Sequence, residues 1–222
     1  MFFHEGNYVF TGRKRCSNVI KLTGERVIPE LMKPTNGILL EHIARYYFAI
    51  PYARGRVLDI ACGVGYGSHM IAKSCKKDVN HVVGVDVDED SIKYAERTYN
   101  HPRITYKTAD AVDPRLPQKL GLFDTIFSFE TIEHLTDDLQ FMDNNYNMLL
   151  PGGTLVLSTP FGQGRGKECQ EPFHIHQYTK QEFEELFTAY KNVDIYYQRG
   201  VTFFESPRKG IKYPLGVAVC TK

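Results

Sequence analysis

Residues 57–68 read VLDIACGVGYGS, and this stretch decides the architecture. It opens with the apolar run of a buried β-strand and then carries glycines at 63, 65 and 67, where a strand should turn into a helix. Glycine permits positive φ and lets a ligand approach the backbone closely, which is why Gly-rich strand–helix turns bind nucleotides. A tight turn with no ligand would use the same residues. The dinucleotide-binding spacing G-x-G-x-x-G does not fit, because counting from Gly63 puts Ser68 where the last glycine is required. What fits is an acid at the strand end, Asp59, followed by Gly63-x-Gly65. A carboxylate there suits a cationic ligand, since it can hold an ammonium group.

Outward from this turn, short apolar runs alternate with helical patterns. RVLDI (56–60), HVVGVD (81–86), ITYKTA (104–109), FDTIFSF (123–129) and GTLVLST (153–159) read as strands buried on both faces. Helices are expected from Gly65 to about Ser74, from Glu89 to Tyr99 behind Asp88 as N-cap, and from Asp137 to Leu150. In the last of these Leu139, Met142, Tyr146 and Leu149 keep helical spacing, and Pro151-Gly152-Gly153 is expected to stop it. Such alternation predicts a mainly parallel sheet with helices on both faces. Before the first strand, residues 37–50 form a further helical pattern with Leu39, Ile43 and Tyr47 on one face. After the fifth comes a polar, Gly-rich loop, FGQGRGKECQEPFHIHQ, and then TKQE (179–182), a capping box for a helix reaching about Tyr190. VDIYYQ (193–198) and GVAVC (216–220) read as an antiparallel pair added to the sheet.

Two further acids end strands. Asp86 closes the second strand, roughly twenty residues past the glycines, where a carboxylate can accept both hydroxyls of a ribose. Asp110 follows the third, where it can accept from an adenine amino group. Each alone also reads as a loop acid or a helix cap. Together, acids at the ends of three successive strands point to one ligand, because ligands of such sheets sit at the carboxyl ends of the strands.

On these residues the chain resembles the class I S-adenosylmethionine-dependent methyltransferases. Asp59, Gly63 and Gly65 match the first motif, Asp86 the ribose acid, Asp110-Ala111 the adenine contacts and FDTIFSF the fourth strand. The resemblance covers roughly residues 37–222. It implies an α/β, Rossmann-like, seven-stranded mostly parallel sheet with an antiparallel last strand. It also implies S-adenosylmethionine contacts at Asp59, Ala61, Gly63, Gly65, Asp86, Val87, Asp110 and Ala111. Ala61 stands where the family usually has its first glycine, and a negative φ is expected for it. Residues 1–36 are expected to be a lead-in or lid, and residues 37–222 the methyltransferase domain. Within the lead-in, TGERVIPE (23–30) resembles the N-terminal segment of bacterial methyltransferases found among sugar and cell-surface genes. Arg26 or Arg45 could reach the cofactor carboxylate; both also read as surface or helix-packing residues.

At the end of the fourth strand, FSFETIEHL (127–135) crowds Glu130, Glu133 and His134 together. If a helix starts there, offsets of three and four put all three on one face. Glu130 lining the cofactor pocket, with Glu133 and His134 capping the next helix, is the plainer reading. The sharper one is a site for a divalent ion. The pattern resembles the Hen-type small-RNA 2′-O-methyltransferases and the ubiquinone-pathway O-methyltransferases, which pair E-x-x-E-H with a distal histidine. By that resemblance the fourth ligand is His174, four residues before Tyr178-Thr179, rather than His176. Mixed carboxylate and imidazole donors suit Mg²⁺, Mn²⁺, Fe²⁺ or Zn²⁺. Without a metal, His134 could serve as general base. Aromatic and basic residues of the 199–215 loop, including Phe203, Phe204, Arg208 and Lys212, are expected to form a substrate lid.

The totals narrow the acceptor. With 27 Lys+Arg against 26 Asp+Glu in 222 residues, the net charge is close to zero. This argues against a protein built mainly to grip nucleic-acid backbones. Cys16, Cys62, Cys75, Cys169 and Cys220 form no C-x-x-C pair, so reduced thiols and a cytoplasmic location are expected. No segment approaches membrane-spanning length, so no membrane partner is expected. The expected activity is O-methylation of a hydroxyl on a small metabolite or sugar. The alternatives are RNA ribose 2′-O-methylation and a cofactor-binding subunit without turnover.

Overall fold

Strands that are apolar on both faces need helices on both sides, and the chain folds accordingly. The computed structural model describes residues 26–169 and 171–222. Parallel strands β1 (Gly55–Ile60), β2 (Val79–Asp86), β3 (Ile104–Thr108), β4 (Phe123–Phe129) and β5 (Leu149–Pro160) lie in the order β3-β2-β1-β4-β5. The order reverses at β1, which opens a crevice above the carboxyl ends of β1 and β4. Alternate strand residues feed two cores. Val57, Phe127 and Val156 pack with α1 (Gly37–Ala49), α2 (Tyr66–Ser74) and α3 (Glu89–Thr98). Leu58, Ile126 and Leu155 pack with α4 (Leu116–Leu120), α5 (Asp138–Met148) and α6 (Lys180–Glu185).

β8 (Leu215–Thr221) inserts between β5 and β6 (Asn192–Arg199) and runs antiparallel to both, as the antiparallel pair requires. The sheet has eight strands rather than seven. The extra one is β7 (Thr202–Phe204), which folds back on β6 through a turn at Gly200, where φ is +58°. A three-residue strand between two turns leaves too little periodicity in the sequence to be read. Its formation also alters the expected lid. Among the described residues, none from 199–215 lines the cleft described below; Phe203 instead packs against Phe48 of α1, ring centroids 4.4 Å apart.

Several element boundaries differ from expectation. α5 ends at Met148, and β5 begins at Leu149, so Pro151-Gly152-Gly153 lies inside a long strand's first turn into the sheet. The buried stripe of α5 is Phe141, Met142, Asn145 and Met148, while Leu139 is exposed. α1 buries Leu39, Arg45, Tyr46 and Ala49, whereas Tyr47 points to solvent. α6 stops at Glu185 although its capping box forms as written, with Thr179 and Glu182 exchanging hydrogen bonds. Residues 23–25 of the lead-in lie outside the described residues, as does Cys16. Its described part packs onto the domain: Val27 and Ile28 are buried, Arg26 pairs with Asp88 at 2.7 Å, and Glu30 accepts from Tyr94 and Tyr99. The four described cysteines are free, and no described helix is long and apolar enough to cross a membrane.

Candidate functional site

The turn after β1 is shaped by contacts that only small residues allow. Gly65, the N-cap of α2, has φ +86°, and a Cβ there would meet Ala95 at 2.6 Å and the Tyr106 ring at 2.8 Å. Gly67 lies against Tyr46, whose ring a Cβ would overlap at 1.9 Å. Ala61 has φ +57°, not the negative value expected of it. The left-handed conformation costs an L-residue about 1–2 kcal/mol, so the turn imposes on alanine a shape that glycine would take freely.

Asp59 does not reach the cleft. It is buried beneath the turn and accepts from Ser68 Oγ at 2.6 Å and from the Tyr46 hydroxyl at 3.1 Å. Burial pushes its pKa up to about 6, against the opposing pull of those hydroxyls. Its reach toward an ammonium group is therefore indirect, through the turn that it braces. Asp86 stands at the surface of the cleft. Its two oxygens accept from the Gly63 amide at 2.8 Å and the Asp88 amide at 2.9 Å, which fixes the carboxylate's plane and leaves further lone pairs for a diol. Asp110 turns its side chain to the Val112 amide at 3.0 Å.

Two adjoining concavities follow. A small apolar one of about 80 Å³ is lined by Ile60, Val85, Asp110, Ala111, Leu116 and Leu135. Ala61, Asp86 and Val87 border both it and a larger cleft of about 620 Å³. The larger cleft runs past Gly63 and Tyr66 to Glu130, Glu133, His134 and His174, with His42 and Arg45 of α1 on its other wall. Of the residues expected to touch a cofactor, Gly65 and Asp59 support the turn from behind, and the others line one or both concavities.

The end of β4 is not the start of an α-helix. Glu130 sits at φ +51°, and a single 3₁₀ turn, Ile132–His134, follows it. The carboxylates are therefore parted. Glu130 accepts from Ser158 Oγ at 3.3 Å, and Glu133, fully buried, accepts at Oε2 from Thr159 Oγ1 at 3.0 Å. Glu133 Oε1 makes no hydrogen bond and lies 4.0 Å from His134 Nε2. Burial and the charge of Glu130 hold the Glu133 carboxyl well above the usual carboxylate range. His134 Nδ1 lies 2.9 Å from the Phe173 carbonyl, which can only accept. In the neutral ring Nδ1 therefore carries the proton, and the lone pair sits on Nε2, facing the cleft. The Glu133 carbonyl in turn accepts from the amides of Ile175 and His176, at 2.7 and 3.0 Å, and so anchors the histidine-bearing loop. Glu133, His134 and His174 present ligand atoms within 4.8 Å of one another; Glu130 lines the same cleft but stands outside that group. Both ring nitrogens of His176 are buried away from it.

The sequence reading missed Tyr46, Ser68 and Thr159, which hold the buried carboxylates. Only the loop positions of their partners hinted at them. It also missed His42, and it left Arg45 between a cofactor contact and a packing role, although α1 turns both toward the cleft.

Residues 57–153 match the methyltransferase-domain family. A probable S-adenosylmethionine-dependent methyltransferase of Mycolicibacterium smegmatis is 31% identical over 76% of this chain and 64% of its own length. The chain thus spans just under two thirds of that relative, and 63% of a second mycobacterial one. Among solved structures, a SAM-dependent methyltransferase from Archaeoglobus fulgidus superposes with a TM-score of 0.60 at 16% identity, covering 84% of this chain and 95% of that one. The methyltransferase domain of bacterial CtHen1-C gives 0.60 at 20% identity, over 81% and 97%. Both likenesses are of fold.

Proposed function

We propose that the chain is a class I S-adenosylmethionine-dependent methyltransferase, as its matches support, and that it methylates a hydroxyl of a small metabolite or sugar, with a divalent ion assisting. The observation that carries this reading is the convergence of Glu133, His134 and His174 on the cleft that Asp86 and Gly63 border. The small apolar concavity suits adenine, with Asp110-Ala111 at its rim, and Asp86 suits the ribose diol. A cofactor so placed would turn its sulfonium toward the end of β4.

A cation fits the residues present. Glu133 Oε1 is a buried acceptor without a hydrogen bond, and its raised proton affinity marks a place where positive charge is wanted. One carboxylate and two imidazoles make a donor set for Zn²⁺, Fe²⁺ or Mn²⁺. Such an ion, held by Glu133, His134 and His174, would lower the pKa of an acceptor hydroxyl and orient it. The chain's own residues do the rest. Methyl transfer is an in-line displacement, so positioning supplies much of the rate. The acceptor oxygen forms the new bond to carbon as the sulfonium bond breaks to a thioether; without a cation on it, His134 Nε2 takes the hydroxyl proton, and with one the proton leaves to solvent. The Phe173 carbonyl keeps that nitrogen's lone pair in place.

Calorimetry with S-adenosylhomocysteine tests the cofactor half. Asp86→Ala is expected to weaken binding by about 1.5–3 kcal/mol, the scale of hydrogen bonds to a charged group. Unchanged affinity would remove the assignment. Assaying a hydroxylated acceptor at rising salt separates a small molecule from RNA, because only phosphate contacts release counterions.

A further inference from the structure

The loop that brings His174 to the cleft is held at its neck by a residue outside the site. Asp138, in the first turn of α5, is buried and lines neither concavity. Its two oxygens take donors from opposite sides of the histidine-bearing loop. Oδ1 accepts from Nη2 of Arg165, which precedes the histidines. Oδ2 accepts at 2.6 Å from the hydroxyl of Tyr178, which follows them. The backbone closes the same neck. The amides of Gly162 and Gly164 donate to the carbonyls of Tyr178 and Gln177, both at 2.9 Å, and the Arg165 amide donates to Glu182 at 3.1 Å. Tyr178 is fully buried, its ring 6.0 Å from that of His176, whose nitrogens are buried beside it, while His174 lines the cleft.

A carboxylate suits this place. The N-terminal turn of a helix stabilises negative charge. Bonds from a guanidinium and a phenol to an ionised, buried oxygen are strong and directional. The tip of the loop is bonded separately, to the turn after β4: the Glu133 carbonyl accepts from the Ile175 and His176 amides, and the Phe173 carbonyl meets His134. Without the neck, the whole entropic cost of closing the loop would fall on those tip bonds.

We propose that Asp138 is a positioning residue for the cation site: by clamping the chain on both sides of the histidine-bearing loop, it sets His174 beside Glu133 and His134. This rests on the cation reading above. Asp138 touches neither the ion nor the acceptor, and its effect passes through His174.

The test is a double-variant cycle read by Zn²⁺ titration on the wild type, Asp138→Asn, His174→Ala and the two combined. Asparagine keeps the shape of the side chain but offers one acceptor oxygen where two donors point. Asp138→Asn should bind Zn²⁺ about ten- to a hundredfold more weakly, the usual cost of losing a residue that orients a metal ligand. S-Adenosylhomocysteine affinity should stay nearly unchanged. In the His174→Ala background, where Glu133 and His134 are expected to hold Zn²⁺ weakly, Asp138→Asn should cost almost nothing further, because the histidine it positions is gone. Additive losses would overturn the proposal and mark a general structural role; so would wild-type Zn²⁺ affinity in Asp138→Asn. Tyr178→Phe removes one of the two bonds, should lose less, and carries the same cycle if Asp138→Asn does not fold. Hydrogen exchange gives a readout that needs no metal. The Ile175 and His176 amides should exchange about tenfold faster in Asp138→Asn than in the wild type, and unchanged rates would overturn the clamp. A wild type that takes up no Zn²⁺ would overturn the cation reading itself, a different failure that the exchange rates do not share.

Discussion

Replacing Asp59 with asparagine isolates a single buried charge. Asp59 is 1% exposed, and desolvation raises its pKa from 3.8 to about 6 even though Ser68 and Tyr46 both donate to it. A rise of roughly two units at about 1.4 kcal/mol each amounts to about 3 kcal/mol. The sign follows from proton binding. The folded chain holds this proton more tightly than the unfolded chain does. The group's contribution to stability is therefore complete below the unfolded value, near pH 4, and is lost as pH rises through about 6. Asparagine has the same shape and no proton to lose. Its Oδ1 accepts one hydroxyl, and its Nδ2 can donate to the oxygen of the other after that hydroxyl rotates.

Urea denaturation of both proteins from about pH 4 to about pH 7.5 should then show a moving difference. The wild type should lose up to about 3 kcal/mol relative to Asp59→Asn across that window. Other raised groups, Glu133 and Asp86 among them, titrate in both proteins and largely cancel in the difference. A difference that stays flat to within about 0.5 kcal/mol would refute the reasoning, because it would mean that Asp59 is solvated in the folded chain. A difference of opposite sign would mean that hydroxyl donation outweighs burial.

Ala61→Gly should stabilise the protein by about 0.5–1 kcal/mol, since relief of the left-handed alanine exceeds the chain entropy that glycine adds to the unfolded state; a lower urea midpoint would contradict the φ of +57°. His174→Ala should abolish most divalent-metal binding while S-adenosylhomocysteine affinity stays nearly intact, and His176→Ala should do neither. Titration with Zn²⁺ and Mn²⁺ reads both variants, and failure of the wild type to take up any divalent ion would remove the site. Methyl transfer that survives complete chelation would leave His134 as base without a cation.

What could be read from the chain in advance was whatever rests on local pattern. The alternation of strands and helices, the turn at Gly63–Gly65, the placement of Asp86 at a strand end and the capping box at Thr179 follow from spacing along one segment, and each formed as spaced. What could not be read depends on contacts across the fold. Helical periodicity alone put Tyr47 on the buried face of α1. The packing of Tyr46 against Gly67 rotates the helix so that Tyr46 and Arg45 turn inward and Tyr47 outward. Offsets of three and four put Glu130, Glu133 and His134 on one face only if a helix begins at Glu130. The left-handed backbone at Glu130 breaks that arithmetic, and β5 then sorts the carboxylates, Ser158 drawing Glu130 and Thr159 drawing Glu133. The same distinction explains why His174 joins the cluster and His176 does not. Their amide groups lie close together on one loop, but the Glu133 carbonyl takes the amides of residues 175 and 176, pinning the loop so that His174 remains on the cleft side. A non-glycine residue held left-handed at the mouth of a cleft is strain of the kind that persists where function fixes the geometry. Ala61 and Glu130 are the non-glycine residues with positive φ among those described, and both stand at strand ends that border the cleft.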